Sequence, residues 1–508
     1  MNSASLLWLA RHELRLNWRD WMAMMTGGKR TRLIGWVAGG TLVYAVITLI
    51  AWLAIRPWVD AGALPDKQTL LVVSGMGLLF WAVTLSQAME AVTRVYYARS
   101  DLDLILSSPT PGARIFVIRA GAVFITTFAL GALLISPLIL ALVLQAGWHW
   151  LSAYMLLAAL AASSVAIAMG ITRLLFRLAG PKRTRLFAQI VAGIVGAGFV
   201  IGIQAAAILS HGGFSRFAFF QSDALLAAAP DETSLLWLPA RAAMGDLGAA
   251  LIILVLAMAI LGTAIMLIAP SYGPLASAAA GLNHVRTQRR PPARAFTPQT
   301  QRQALRRKEW KLLQRDPWLL SQTLMQLLYL VPPALLLWVN YGAGSGAFIV
   351  IVPVLVMAAG QLAGGLAWLA ISGEDAHDLV TTAPLSPSTI LRAKVEAVLV
   401  VIALVLTPLL LLLMTASWTM ALITALCAAM AAISATAIQL WFRVVAKRSM
   451  FRRRQNASRA ATLCEAFSSI LWAGAGALWA VGTPLVVLPV VAALGVIGLA
   501  RLIAPKPA

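Results

Sequence analysis

The chain has 508 residues, 60% of them hydrophobic and 11% charged, with a mean hydropathy of +0.84. Soluble domains carry about twice that charged share, so composition excludes an ordinary globular enzyme and places the chain among membrane proteins. The formal net charge of +22 is compatible with nucleic-acid binding or with membrane orientation, and its distribution along the chain decides for orientation.

In chain order, the spacing first predicts an interfacial helix over about residues 5–22. Arg11, Arg15 and Arg19 recur at i, i+4 and i+8, so they share one stripe that suits anionic headgroups. Basic residues from Arg11 to Arg32 hold this end on the cytoplasmic side, and no small-residue cleavage site marks a signal peptide. Residues 33–55 and 68–89 carry no Asp, Glu, Lys or Arg and read as the first two spans. A loop follows over about 100–112, with Asp101-Leu102-Asp103-Leu104 running to Pro109. Thr110-Pro111 then looks like a cap with proline in the first turn.

Residues 120–172 are again free of charge and too long for one crossing, so a turn is expected at Gly147-Trp148-His149-Trp150. Spans near 188–210 and 248–270 complete a six-span half, residues 1–270. Between them an external segment, about 212–247, carries Phe214, Phe217, Phe219, Phe220 and Trp237, which suit anchoring at the membrane surface. Residues 271–317 are a basic cytoplasmic linker with Arg289-Arg290-Pro291-Pro292, ending in a second interfacial helix striped by Arg307, Lys311 and Arg315.

A second half is expected over 318–508. Its charge-free runs are 317–373, 397–442 and 466–500, with turns at Asn340-Tyr341-Gly342, Ala416-Ser417-Trp418-Thr419 and Gly482-Thr483-Pro484. The last pair of spans fits best if the first of them begins near Ala461 with Glu465 close to its end. The fold class is therefore an all-α polytopic transmembrane bundle of about twelve spans, with both termini cytoplasmic. Only Arg56, Lys67, Arg216 and Arg241, of 40 basic residues, then fall outside.

The two halves read as copies. Arg11-His12-Glu13 through Arg19-Asp20 recurs, shifted by 296, as Arg307-Lys308-Glu309 through Arg315-Asp316. Asp103, Leu104 and Pro109 recur, shifted by 275, as Asp378, Leu379 and Pro384 within a second loop over about 374–388, and Ile115 and Arg119 recur after it as Ile390 and Lys394. Six spans per half is an even number, so the copies run parallel.

No catalytic constellation is present in the sequence. His12-Glu13 lacks the second histidine of a zincin helix, Gly28-Lys29 lacks the glycine and hydroxyl of a phosphate loop, and Asp101 has Ala376 at its repeat position. Glu374, Asp375, His377 and Asp378 read as a solvated loop, and Cys427 and Cys464 as packing residues. Glu90, Glu396 and Glu465 all fall near expected cytoplasmic ends, leaving no ionisable residue at an expected midplane.

The acidic-Leu-to-Pro loop after span two, with its basic residue ten positions past the proline, resembles that of the ABC exporter permeases. These belong to the type-two ATP-binding-cassette permease superfamily. The resemblance implies an N-terminal interfacial connecting helix, six spans per half, and a coupling helix in the first cytoplasmic loop of each half. It assigns Asp101, Asp103, Leu104 and Pro109 to the first coupling loop, and Asp378, Leu379 and Pro384 to the second. It also implies a separate ATPase subunit in two copies, which hydrolyses the ATP, with no cofactor or metal held by this chain. The expected setting is the bacterial inner membrane, with lipid contacts, an unidentified cargo and no nucleic acid. Two other classes remain open: a carrier driven by an ion gradient, and a membrane enzyme acting on lipid or glycan.

Overall fold

A computed structural model describes residues 31–60, 66–97, 111–211, 223–279, 300–315, 346–372, 384–442 and 459–504, with isolated positions within 8–22 and residues 331, 335 and 382. Among the described residues there is no strand, and eleven helices are long and apolar enough to cross a membrane. This is an all-α, multi-pass membrane protein. In the apolar run 317–373, residues before 346 lie outside the described residues except 331 and 335. The chain separates into two units, one of Met1–Val200 with Arg216–Thr287, the other of Ile201–Ser215 with Gln288–Ala508.

In the first unit, α1 (Thr31–Asp60) is followed by α2 (Lys67–Tyr97), whose first turn is capped by Asp66 accepting from the Thr69 amide at 3.0 Å. Helix α3 (Gly112–Ala146) stops at Gly147, where φ is 106°. A 3-10 turn, Trp148–Leu151, leads into α4 (Ser152–His211), so the expected turn is present. Helix α4 is broken within at Gly180, where φ is 70°, and Pro181 follows. The left-handed backbone there suits glycine, and proline starts the next stretch without needing a donor. Short helices α5 (Asp223–Ala228) and α6 (Leu238–Ala243) precede α7 (Leu247–Ile268) and α8 (Tyr272–Ala279).

The second unit contains α9 (Gln301–Arg315), α10 (Gly346–Ser372), α11 (Pro387–Ala416), α12 (Trp418–Trp441), α13 (Arg459–Val481) and α14 (Val487–Ile503). Helix α10 is central, packed by α12 and α13, and its core residues include Val352, Val356, Ala359 and Ala363. Small residues allow these close approaches, which drive helix association where lipid removes the hydrophobic effect. Elsewhere, exposed faces carry Leu133 and Leu134 on α3, Leu251 on α7, Leu404 on α11 and Leu488 on α14. Apolar surface on that scale suits lipid rather than water.

The two loop exits are built differently. Ser386 caps α11, its Oγ accepting from the Thr389 amide at 3.3 Å, with Pro387 as first helical residue. In the first unit Thr110 lies outside the described residues, and Pro111 itself holds the flanking position, so α3 opens one residue later than expected. A reason is visible at Gly112, where an added Cβ would come within 3.3 Å of the Gly273 backbone. That close approach keeps α3 against α8.

The segment between α5 and α7 also departs from expectation. Trp237 is buried against Leu70 of α2, and its indole N–H donates to the carbonyls of Asp231 (3.0 Å) and Pro230 (3.3 Å). A tryptophan paired in this way tethers the segment to the helices, whereas Leu235 and Leu236 are the exposed apolar groups. Phe214, Phe217, Phe219 and Phe220 lie outside the described residues.

Asp246 caps α7, accepting from the Ala249 amide at 3.0 Å, and pairs with Arg241 at 2.8 Å. Its carboxyl is held below the usual carboxylate range, first by the Ala249 amide, against some burial, and then by the Arg241 charge. A depressed folded-state value means the stabilisation is complete above the unfolded value near pH 4 and is lost as pH falls through the folded one. Asp246→Ala is therefore expected to cost about 1 kcal/mol at neutral pH and progressively less below about pH 4. Thermal unfolding in detergent across that range checks it, and a deficit unchanged down to pH 2 would contradict the assignment.

Candidate functional site: two buried ion pairs beside the acidic loops

The N-terminal segment is helical at every described position from Trp8 to Met22, and it has two distinct faces. Arg11, Arg15 and Arg19 are exposed, as the stripe predicts. Glu13 lies 200° around the helix from Arg11 at 100° per residue, and it is buried. It meets Arg119 of α3, with Nε 3.7 Å from the carboxylate. Arg119 is 3% exposed, and its NH1 donates to the Tyr272 hydroxyl (2.8 Å) and the Val95 carbonyl (3.4 Å). The Tyr272 hydroxyl donates to the same carbonyl at 3.3 Å. Around these groups Tyr96, Phe116 and Tyr272 form a triangle of tilted rings, with Phe176 against Tyr96 and centroids 5.0–6.2 Å apart.

The second unit holds a cluster of the same plan. Arg307 and Lys311 are exposed on α9, Arg315 lies in its last turn, and Glu309 is 1% exposed on the opposite side. Lys394 of α11 reaches Glu309 with Nζ at 3.2 and 3.3 Å from its two oxygens, and donates to the Ala370 carbonyl at 2.5 Å. Lys308 adds a contact to Glu309 at 3.2 Å. A more exposed pair, Arg306 with Glu396, flanks the cluster.

In each unit the buried base thus holds two things: a carbonyl in the last turns of the preceding span, 24 residues back, and a glutamate on the amphipathic helix. The carbonyls, Val95 and Ala370, differ by 275 positions, the same shift that relates Arg119 to Lys394. Each cluster therefore pins together the helix entering the acidic loop, the helix leaving it, and the helix that carries the basic stripe.

No family model, curated protein or solved structure matches this chain.

Of the residues assigned to coupling loops, Asp101, Asp103, Leu104, Pro109, Asp378 and Leu379 lie outside the described residues, and Pro384 is exposed in the bend just before the Ser386 cap. The sequence motifs had placed Glu13, Glu309, Arg119 and Lys394 in the repeats without relating them to one another. The structure brings each glutamate to its base. The available signal was the fixed place of each glutamate, two positions after the first base of the stripe. A lone carboxylate turned away from a basic stripe must find a partner inside.

Proposed function

We propose that the chain is the transmembrane permease subunit of an ATP-driven exporter, powered by two copies of a separate ABC ATPase subunit at a bacterial inner membrane. One observation carries the reading: the two acidic loops are each rooted between helices locked by a buried ion pair. A loop that flexed freely would absorb a push from below. A loop whose two flanking helices are pinned to each other and to a surface helix passes displacement into the spans. Recurrence of the base and its carbonyl at a shift of 275, and of the glutamate at a shift of 296, supports descent by duplication, with parallel six-span halves and one loop for each ATPase protomer.

The chemistry of contact follows from the loop composition. Asp103-Leu104 and Asp378-Leu379 offer an apolar anchor beside a negative charge, which suits a groove with basic walls. Reversing both charges, Asp103→Lys with Asp378→Lys, is expected to abolish co-purification of the ATPase and its stimulation by the membrane subunit. A thermal midpoint in detergent, measured on the same double variant, shows separately that the protein remains folded. Unchanged binding and stimulation would sink the coupling assignment. A carrier driven by an ion gradient is the second reading. It is favoured by the buried carboxylate at Glu465, and transport in vesicles without nucleotide would select it.

A further inference from the structure

We propose that Glu465 is a proton-binding site within the second unit's helix bundle, loaded when α13 is closed on α10 and discharged when the two helices part. Glu465 lies in the membrane-spanning stretch Ala461–Val481 of α13. Its carboxylate rests on the backbone of Gly364 in α10, so closely that a single methyl group there would collide with it. Its hydrogen-bond partner among the described residues is the Gln439 side-chain amide of α12.

Among the described residues, no positive charge faces it from the elements packed around it. Helices α10 and α12 contain no Asp, Glu, Lys or Arg, and the 3-10 turn Pro484–Val486 contains none. On α14 the only charge is Arg501, whose guanidinium lies over the Trp441 ring at 5.2 Å. On α13 itself Arg459 stands at the first position, and the other titratable groups nearby are the thiols of Cys464 and Cys427. A bare carboxylate beside one neutral amide in an apolar seam is strongly disfavoured. The protonated acid fits: it accepts from the amide and has its own O–H to give.

The seam also holds spare hydrogen-bonding capacity, which an ordinary packing contact does not need. Ser468, Ser469 and Thr436 are at most 2% exposed, and their hydroxyls have no hydrogen-bond partner among the described residues. Glu465, Ser468, Ser469 and Trp472 fall at i, i+3, i+4 and i+7 on one face of α13, and Thr436 lies one turn from Gln439 on α12. Ser469 sits over Gly360 as Glu465 sits over Gly364, so a small-xxx-small groove on α10 receives both. Trp472 and Ser434 close the far end, indole N–H to hydroxyl, at 3.1 Å. Buried hydroxyls left unpaired beside a lone acid are what a proton and the water that delivers it would use. Nothing similar lies in the fifth span of the first unit, Leu186–Ala205, which has no carboxylate.

The proton balance is simple: the carboxylic acid in the closed seam becomes carboxylate plus a proton passed to water once the seam admits it. Dicyclohexylcarbodiimide tests this, because it adds to protonated carboxyls in apolar surroundings and leaves the whole reagent attached as an acylurea. With the full-length protein in lipid nanodiscs, mass spectrometry is expected to find the adduct on Glu465 and not on the exposed Glu90 and Glu396. Labelling should fall by about tenfold or more between roughly pH 5.5 and pH 9. Glu465→Gln should abolish it. Gly364→Ala, which forces the carboxyl out of its groove, should move the loss of labelling to lower pH. Absence of the adduct from folded protein, or labelling constant across that range, overturns the proposal. Protection by sodium at constant ionic strength also overturns it, making the site one for an alkali cation.

Discussion

Lys394→Met is expected to be among the most damaging single changes in the molecule, lowering stability by about 3–5 kcal/mol. It removes the ammonium that neutralises Glu309, a residue only 1% exposed, and leaves the Ala370 carbonyl without that donor. Lys308 remains near Glu309 but is about a third exposed at its side chain, so it offsets part of the loss and places the effect toward the lower end of that range. The cost is that of an orphaned buried charge rather than of a missing bond. The double variant Glu309→Gln with Lys394→Met should therefore recover most of it. Unfolding titrated with SDS in mixed micelles would show both effects. If the double variant were as unstable as the single one, ionic pairing would not be what holds α9 to α11.

Gly245→Ala should cost about 2–4 kcal/mol, a large effect for one methyl group. Two causes add. The residue has φ at +103°, a region that penalises any Cβ, and that Cβ would run into the imidazole ring of His149. The corner it closes is tightly bonded: Ser152 Oγ donates to the Ala242 carbonyl at 2.9 Å, and Asp246 caps the next helix. Adding His149→Ala removes the collision and keeps the backbone strain, so about half the loss should return. Wild-type stability in Gly245→Ala, read from the thermal midpoint in detergent, would contradict this account of the corner.

Much of the architecture was legible in the sequence because a bilayer imposes a length. Charge-free runs marked the helices, and glycine or capping residues at 147, 417 and 482 marked the breaks that the structure places there. A break between the run ending at 172 and the span near 188 is legible, but its form is not, because a single glycine beside proline in a basic stretch resembles an ordinary loop. The basic stripes were legible from their periodicity. Their buried glutamates were not, because periodicity tells which face a residue occupies and says nothing of what that face meets. Glu465 illustrates the same limit from the other side. Its position near a helix end is what the sequence suggests, and depth along a helix is readable by counting. Enclosure by α10 and α12 depends on which helices lie beside it, and Gly360 with Gly364 carried that information only once the partners were known.

The corner at Gly180 has a consequence for the whole first unit. An unbroken α-helix over the 60 residues of α4 would be about 90 Å long, roughly three times the hydrocarbon thickness it must fit. One dihedral of unusual sign, with its carbonyl taken by the Thr184 hydroxyl and the next by Tyr97, converts a rod that no membrane could hold into two separate crossings. The side on which everything downstream emerges therefore hangs on the handedness of a single peptide unit.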